Sequence, residues 1–270
     1  VPQQETAVFA PDQVSDELLA LTHSLGRPER DLVILAEGNT SQQLTGGRIA
    51  VKASGSNMAT ATRDDFVVID VARVTPLLTD PAATQADLTA ALDAGEIGGR
   101  RRRGSIEALV HVAVQAVALA AGVADAARFV GHTHPTAVVG LLASVHAAEA
   151  YERIVYSDEA VVIGASPLYV PYAQPGIALG QTFHAALAQR VEQTGELPQL
   201  VLLGNHGIVA IAPTADGVDG ISAMAVKGAQ VRTAAYAVGG VAPLTDEQVT
   251  KFFARDDIAE RRGNLARGTF

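Results

Sequence analysis

Two hydrophobic periods alternate along the chain, and each change of period marks an element. Residues 12–25, opened by Asp12 and stopped by Gly26, place apolar side chains at helical spacing and predict a helix. Residues 31–44, "DLVILAEGNTSQQL", read as a short apolar segment running into a polar Gly-Asn turn. The β-branched runs "GRIAVKASG" (47–55) and "DFVVIDVARV" (65–74) predict strands. Residues 79–104 are rich in Asp, Gly and Arg with little periodicity, so they read as a surface connection.

The pattern turns helical from Ser105 to about Ala127, then predicts a strand through residues 127–135 and a helix from Thr136. A strand is expected near "AVVIG" (160–164), followed by a turn-rich crossing over 168–176. A helix over 177–195 ends at Gly195. Residues 199–213 read as strand, tight turn, strand, and a long helix runs from about Asp216 to Val238. The tail from Asp246 predicts a short helix and a flexible end. No repeat and no separating linker is visible. Helices mixed with hairpin-connected strands imply one α/β domain over 1–270, with a core at about 12–240, a tail at 246–270 and a mainly antiparallel sheet.

Composition narrows the chemistry. The chain has no cysteine, so a bound metal must be held by His, Asp or Glu. A net charge of −9 argues against a nucleic-acid partner, and the basic run Arg100–Arg103 is too short to reverse that. No basic start leads into an apolar signal segment, and the longest apolar stretches are Ala-rich and broken by polar groups. The expectation is a cytoplasmic protein with no membrane partner.

Against this background "FVGHTHPTAVVG" (129–140) stands out. Side chains two apart on a strand share a face, so His132 and His134 can converge on one ion. A third imidazole, His206, sits in "LGNHGIV" between two apolar strands, where Gly204 and Gly207 would let the backbone bend and bring the ring near another group. Three neutral imidazoles leave Zn²⁺ its full charge and an open position, as catalytic sites require. His23 and His184 read as ordinary surface or boundary residues of amphipathic helices, and His146, in a polar-flanked Ala-rich stretch, carries no signal. His111 differs, because it follows Glu107 by one helical turn and shares its face.

"RGSIEALVH" puts Ser105 at a helix N-cap and Glu107 in the first turn. A capped helix accounts for both residues; so does a general base beside an anion site. "AEGNTS" and "KASGSNM" are Gly/Ser/Asn loops whose backbone N–H groups and hydroxyls suit phosphate, though plain turns use the same residues. Neither matches a nucleotide-binding motif.

Taken in order, Gly-Asn-Thr-Ser, Ala-Ser-Gly, Ser-x-Glu, His-x-His and Asn-His-Gly resemble the class II aldolase/adducin family over about residues 12–240. Its members include the zinc-dependent fuculose-1-phosphate and rhamnulose-1-phosphate aldolases. The resemblance implies a three-layer α/β/α domain with a mainly antiparallel central sheet, assembled as a homotetramer. It implies zinc (or Mn²⁺ or Co²⁺) on His132, His134 and His206, with Glu107 as catalytic acid/base. It implies a phosphate pocket from Asn39, Thr40, Ser54, Gly55 and Ser105. The implied reaction cleaves a phosphorylated ketose to dihydroxyacetone phosphate and an aldehyde through a zinc-stabilised enediolate, and partial burial is expected to raise the Glu107 pKa towards working pH.

Some features depart from the family. Ile106 stands where the aldolases often carry a second Ser, and neither Tyr151 nor Tyr156 aligns well with their catalytic tyrosine. The wording around Arg102–Glu107 is closest to the aldolase domain of bifunctional rhamnulose-phosphate aldolase/dehydrogenases, whose second half has no room in 270 residues. Alternatives within the family are a 3-oxo-tetronate-phosphate decarboxylase and a 4-epimerase, the latter disfavoured by Glu107 where epimerases carry Asp. A non-catalytic adducin-like scaffold is disfavoured by the three retained histidines.

Overall fold

Strand alternation sends odd and even positions into two separate cores, and that division organises the molecule. The computed structural model describes residues 6–267 apart from residue 165. Its first strands are β1 (Ala7–Val8), β2 (Asn39–Leu44), β3 (Arg48–Lys52), β4 (Phe66–Asp70), β5 (Asp93–Ile97) and β6 (Arg100–Arg103). Then come β7 (Phe129–Thr133), β8 (Leu168–Val170), β9 (Leu200–Leu203) and β10 (Gly207–Ala212). The helices of the first half are α1 (Asp16–Leu25), α2 (Val71–Val74), α3 (Gln85–Ala91), α4 (Ala108–Ala120) and α5 (Thr136–Leu142). Those of the second are α6 (Ser157–Ile163), α7 (Ile177–Thr194), α8 (Ala215–Ala237), α9 (Asp246–Phe253) and α10 (Asp256–Arg267).

Eight strands form one sheet in the order β1-β4-β3-β2-β7-β10-β9-β8, antiparallel throughout except for the β8–β9 pair. The sheet is therefore mixed, with one parallel edge. On one face Ile49, Val51, Val130, Val209 and Ile211 pack with Leu109 and Val112 of α4 and Phe183 and Leu187 of α7. On the other, Ala50, Phe66, Val68, Phe129 and Ile208 pack with Leu18 and Leu21 of α1 and Val218, Ile221 and Ala225 of α8. Burying both faces is why the strands read as almost unbroken apolar runs.

Several elements differ from expectation. The connection over 79–104 holds α3 and the β5–β6 hairpin; Thr84 caps α3 through a reciprocal Thr84–Asp87 box, a local signal that outweighs weak periodicity. Of residues 160–164, expected as a strand, 160–163 belong to α6 and Gly164 caps it, whereas β8 lies within the expected crossing and pairs with β9. Short apolar runs do not distinguish strand from buried helix, and here tertiary packing decided. The Gly-Asn turn is the start of β2, and the second half of "DFVVIDVARV" is α2, capped by Asp70. The tail forms two helices, with Ile258 buried and Arg261 paired to Asp158 at 3.1 Å. Residues 268–270, the last part of the expected flexible end, lie outside the described residues. Among the described residues no helix is long and apolar enough to cross a membrane.

Candidate metal centre

The sheet register brings the site together. Antiparallel pairing sets His132 on β7 opposite Asn39 on β2, and opposite Val209 on β10. Opposed residues share a face, so His132 and Asn39 point to the side covered by α4. His134 follows two residues later at the strand end. His206 enters from the β9–β10 turn, where Asn205 takes the left-handed conformation at φ 52°. Asn205 thus makes the bend expected of the glycines. Gly207 instead supplies space, since a Cβ there would lie 2.4 Å from the Thr133 carbonyl oxygen and 2.6 Å from the His134 ring.

The three imidazoles form a near-equilateral triangle, with ring centroids 4.7, 5.1 and 5.0 Å apart. Nε2 of His134 is 3.1 Å from Nε2 of His132, close to the spacing of about 3.3 Å that tetrahedral Zn–N bonds require. Glu107 closes the group: its Oε1 is 2.9 Å from His206 Nε2 and its Oε2 is 3.3 Å from His132 Nε2. One ligand atom from each of Glu107, His132, His134 and His206 lies within 4.8 Å of the others. His132 Nδ1 donates to the Ile208 carbonyl at 2.8 Å, which fixes the tautomer and leaves Nε2 free to ligate. Glu37 faces His134 Nδ1 at 3.5 Å, an outer partner that the motif reading missed. Three nitrogens and one carboxylate oxygen, without sulfur, fit a divalent first-row cation.

Charge in the cluster is tightly balanced. Burial alone would raise the Glu107 carboxyl, but the His132 charge and hydrogen bonds from His132 and His206 hold it well below the ordinary range. The expectation of a raised pKa is therefore corrected, because imidazoles within hydrogen-bond reach outweigh desolvation. Burial lowers His132, yet contact with Glu107 reverses this and leaves it raised. Burial and then the His132 charge push His134 down to about 3. His111 is likewise pushed down to about 3, mainly by complete burial.

The expected anion residues divide. The antiparallel Ala53–Gly104 bridge and the Ser54 N–H bond to the Arg103 carbonyl at 2.8 Å tie the Ser54–Gly55 loop to the segment that leads into Ser105, with Ser54 running towards Arg103 and Ser105 on the Lys52 side of the bridge. Gly55, exposed at φ 80°, has open space where a side chain would stand. Asn39 is fully buried and turned on Glu107, with Nδ2 3.3 Å from Oε2. Thr40 does not join the pocket through its side chain. It faces the opposite side of the sheet, fully buried, with its hydroxyl 2.6 Å from that of Thr22. Period-two alternation requires this once Asn39 faces the site. Ser105 is not the N-cap either: α4 begins at Ala108 with Glu107 at the cap position, and Ser105 Oγ accepts a long 3.4 Å bond from the Glu107 N–H.

Lys52 was not singled out in the motifs, although it sits at an inward position of β3. It is 1% exposed, and its Nζ donates to the Ser56 carbonyl at 2.5 Å beneath the Ser54–Gly55 loop. Burial lowers it to about 8, opposed by the charges of Asp65 and Glu107. Tyr151 and Tyr156 are committed to α8, through the Ala225 carbonyl at 2.6 Å and Met224 Sδ at 2.7 Å. A cleft of about 460 Å³, bordered by Asp31, Ile34, Glu37, Thr136, His134 and His206, leads to the cluster.

Comparison with known proteins agrees with this fold. L-fuculose 1-phosphate aldolase superposes with a TM-score of 0.61 at 20% identity, covering 89% of this chain and 96% of that one. YgbL from Klebsiella pneumoniae gives 0.63 at 18% identity, covering 90% and 99%. The N-terminal class II aldolase domain of a conserved Thermoplasma acidophilum protein gives 0.59 at 20% identity, covering 80% and 92%. These likenesses establish the fold. In sequence, the uncharacterized oxidoreductase YuxG of Bacillus subtilis is 25% identical over 209 residues, 74% of this chain, and the match spans only 27% of YuxG. The model of the class II aldolase and adducin N-terminal domain matches residues 16–218, which contain every residue of the cluster, and the chain belongs to that family.

Proposed function

We propose that the chain is a metal-dependent aldolase that cleaves a phosphorylated ketose to dihydroxyacetone phosphate and an aldehyde. The observation carrying this reading is the convergence of Glu107, His132, His134 and His206 within 4.8 Å. The three imidazoles would hold the ion, Zn²⁺ or another divalent first-row metal, and Glu107 would stay available for proton transfer. A bound cation would polarise the ketone and stabilise the negative charge that develops as the bond breaks.

The residues of the chain supply the rest. Ser54, Gly55 and Ser105 would offer hydroxyls and backbone N–H groups to the phosphate, and Lys52, whose Nζ donates to the Ser56 carbonyl in the same loop, would add positive charge. With the phosphate held there, Glu107 would face the reacting carbons. As C3–C4 breaks, its electron pair moves towards the C2 carbonyl, the C4 hydroxyl would give its proton to the Glu107 carboxylate as C4 becomes the aldehyde, and Glu107 would return that proton to C3. Exposed Ile34, Leu35 and Val145 support association between copies, for which a homotetramer is the expected form.

The test is a retro-aldol screen of ketose 1-phosphates with the zinc-loaded protein, reading dihydroxyacetone phosphate. Release from at least one substrate is expected. Silence across the panel, with CO₂ released from a 3-oxo-tetronate phosphate, would replace the aldolase with a decarboxylase.

A further inference from the structure

His111 takes no part in the ligand cluster, yet both of its ring nitrogens are engaged although the side chain is wholly buried. Nδ1 lies 2.7 Å from Ser41 Oγ, and Nε2 bonds to Asn39 Oδ1. Asn39 in turn faces Glu107, with Nδ2 3.3 Å from Oε2. Two matched spacings create this row. Asn39 and Ser41 are two apart on β2, about 6.7 Å along a strand, and Glu107 and His111 are four apart, about 6 Å along a helix. The four side chains therefore interlock alternately.

The direction of every hydrogen bond in the row follows from its end. An ionised carboxylate only accepts, so Asn39 must present its NH₂ to Glu107. A flipped amide would set Oδ1 against Oε2, lone pair against charge. Asn39 Oδ1 then faces His111 as an acceptor, so Nε2 carries the ring proton. Nδ1 is left as a lone pair, and the Ser41 hydroxyl donates to it.

We propose that Ser41, His111 and Asn39 form a one-directional hydrogen-bond chain that positions Glu107, holding Oε2 as an acceptor and leaving Oε1 to carry the transferred proton. This rests on the acid/base reading of Glu107 given above. It makes Asn39 and His111 positioning residues rather than parts of the anion seat. Their complete burial agrees with that, since a fixed, fully satisfied chain needs no exchange with water.

Long-range ¹H–¹⁵N NMR of the zinc-loaded protein tests the chain without any substrate. His111 is expected as the Nε2–H tautomer alone at neutral pH. In Glu107→Gln the acceptor-only end is gone, Asn39 can turn over, and the Nδ1–H form should appear beside the first. An Nδ1–H ring or an imidazolium in the wild type, or one unchanged tautomer in Glu107→Gln, would overturn the proposal. On a cleaved ketose phosphate, His111→Phe should lower kcat roughly ten- to a hundredfold with KM unchanged, the range for losing an outer-shell partner. His111→Gln, whose amide can still donate, should recover part of that loss. A raised KM with unchanged kcat would return Asn39 to phosphate binding and defeat the idea. If no ketose phosphate is cleaved, the aldolase reading fails, while the tautomer measurement still decides the chain.

Discussion

Glu107 and Glu159 both lie among imidazole or cationic nitrogens, and they do opposite things. Glu159 and Arg232 are each fully buried and paired through both carboxylate oxygens, Nη2 reaching Oε2 at 3.1 Å. Arg232 also donates to the carbonyls of Ala150, Arg153 and Gly228 and stacks on Tyr151 at 4.0 Å from the ring centroid. The Val155 N–H donates to Glu159 Oε2 at 3.2 Å. This group is neutral in sum and closed, and it staples the irregular stretch before α6 to α8. Glu107 instead meets three imidazoles whose nitrogens point at one another beside an open cleft. A buried charge by itself marks packing; several titratable groups converging beside a cleft mark a site.

Mutations can break this comparison, and the largest effect is expected at His206. His206→Ala should lose bound metal and turnover together while the fold survives, measured by metal analysis and circular dichroism. Full metal occupancy would mean that another ligand set operates. Glu107→Gln should keep the metal and lose turnover by roughly 10²–10⁴, the usual weight of a general acid/base. Unchanged turnover would remove Glu107 from the mechanism.

At the closed pair the pattern inverts. Arg232→Met strands a buried carboxylate and should cost about 3–5 kcal/mol by urea unfolding, with metal binding unchanged. Pairing it with Glu159→Leu should restore most of that loss, because two apolar groups need no partner. Lys52 gives a pH-dependent comparison, since burial lowers it from 10.5 to about 8. Between those values the unfolded chain binds the proton more tightly, so raising the pH favours the fold. Relative to Lys52→Met, the wild type should gain up to about 3 kcal/mol between pH 8 and 10.5 and show a flat difference below pH 8. A difference that does not vary with pH would mean that Lys52 is solvated.

Much of the site was legible because its parts are local. His132 and His134 needed only strand periodicity, and Glu107 with His111 needed only helical spacing. Thr40 was misplaced because a motif names residues without their faces, and β2 turns alternate side chains to opposite cores. Lys52 was missed because a lysine beside a Gly-Ser loop looks like surface until the strand beneath it is known to be buried. The β8–α6 exchange failed for a different reason: apolar runs of such length carry no period of their own.

By itself, then, the sequence determined much of the local geometry of this protein: which residues alternate on a strand, roughly where the long helices run, and that any metal must rest on imidazole and carboxylate. Only the tertiary structure decided how those pieces meet. Placing His206 against His132 depends on the β7–β10 register, turning Asn39 on Glu107 depends on the β2–β7 register and the seat of α4, and joining Glu159 to Arg232 depends on α6 lying against α8. These are contacts between residues far apart in the chain, chosen by the burial of two whole sheet faces.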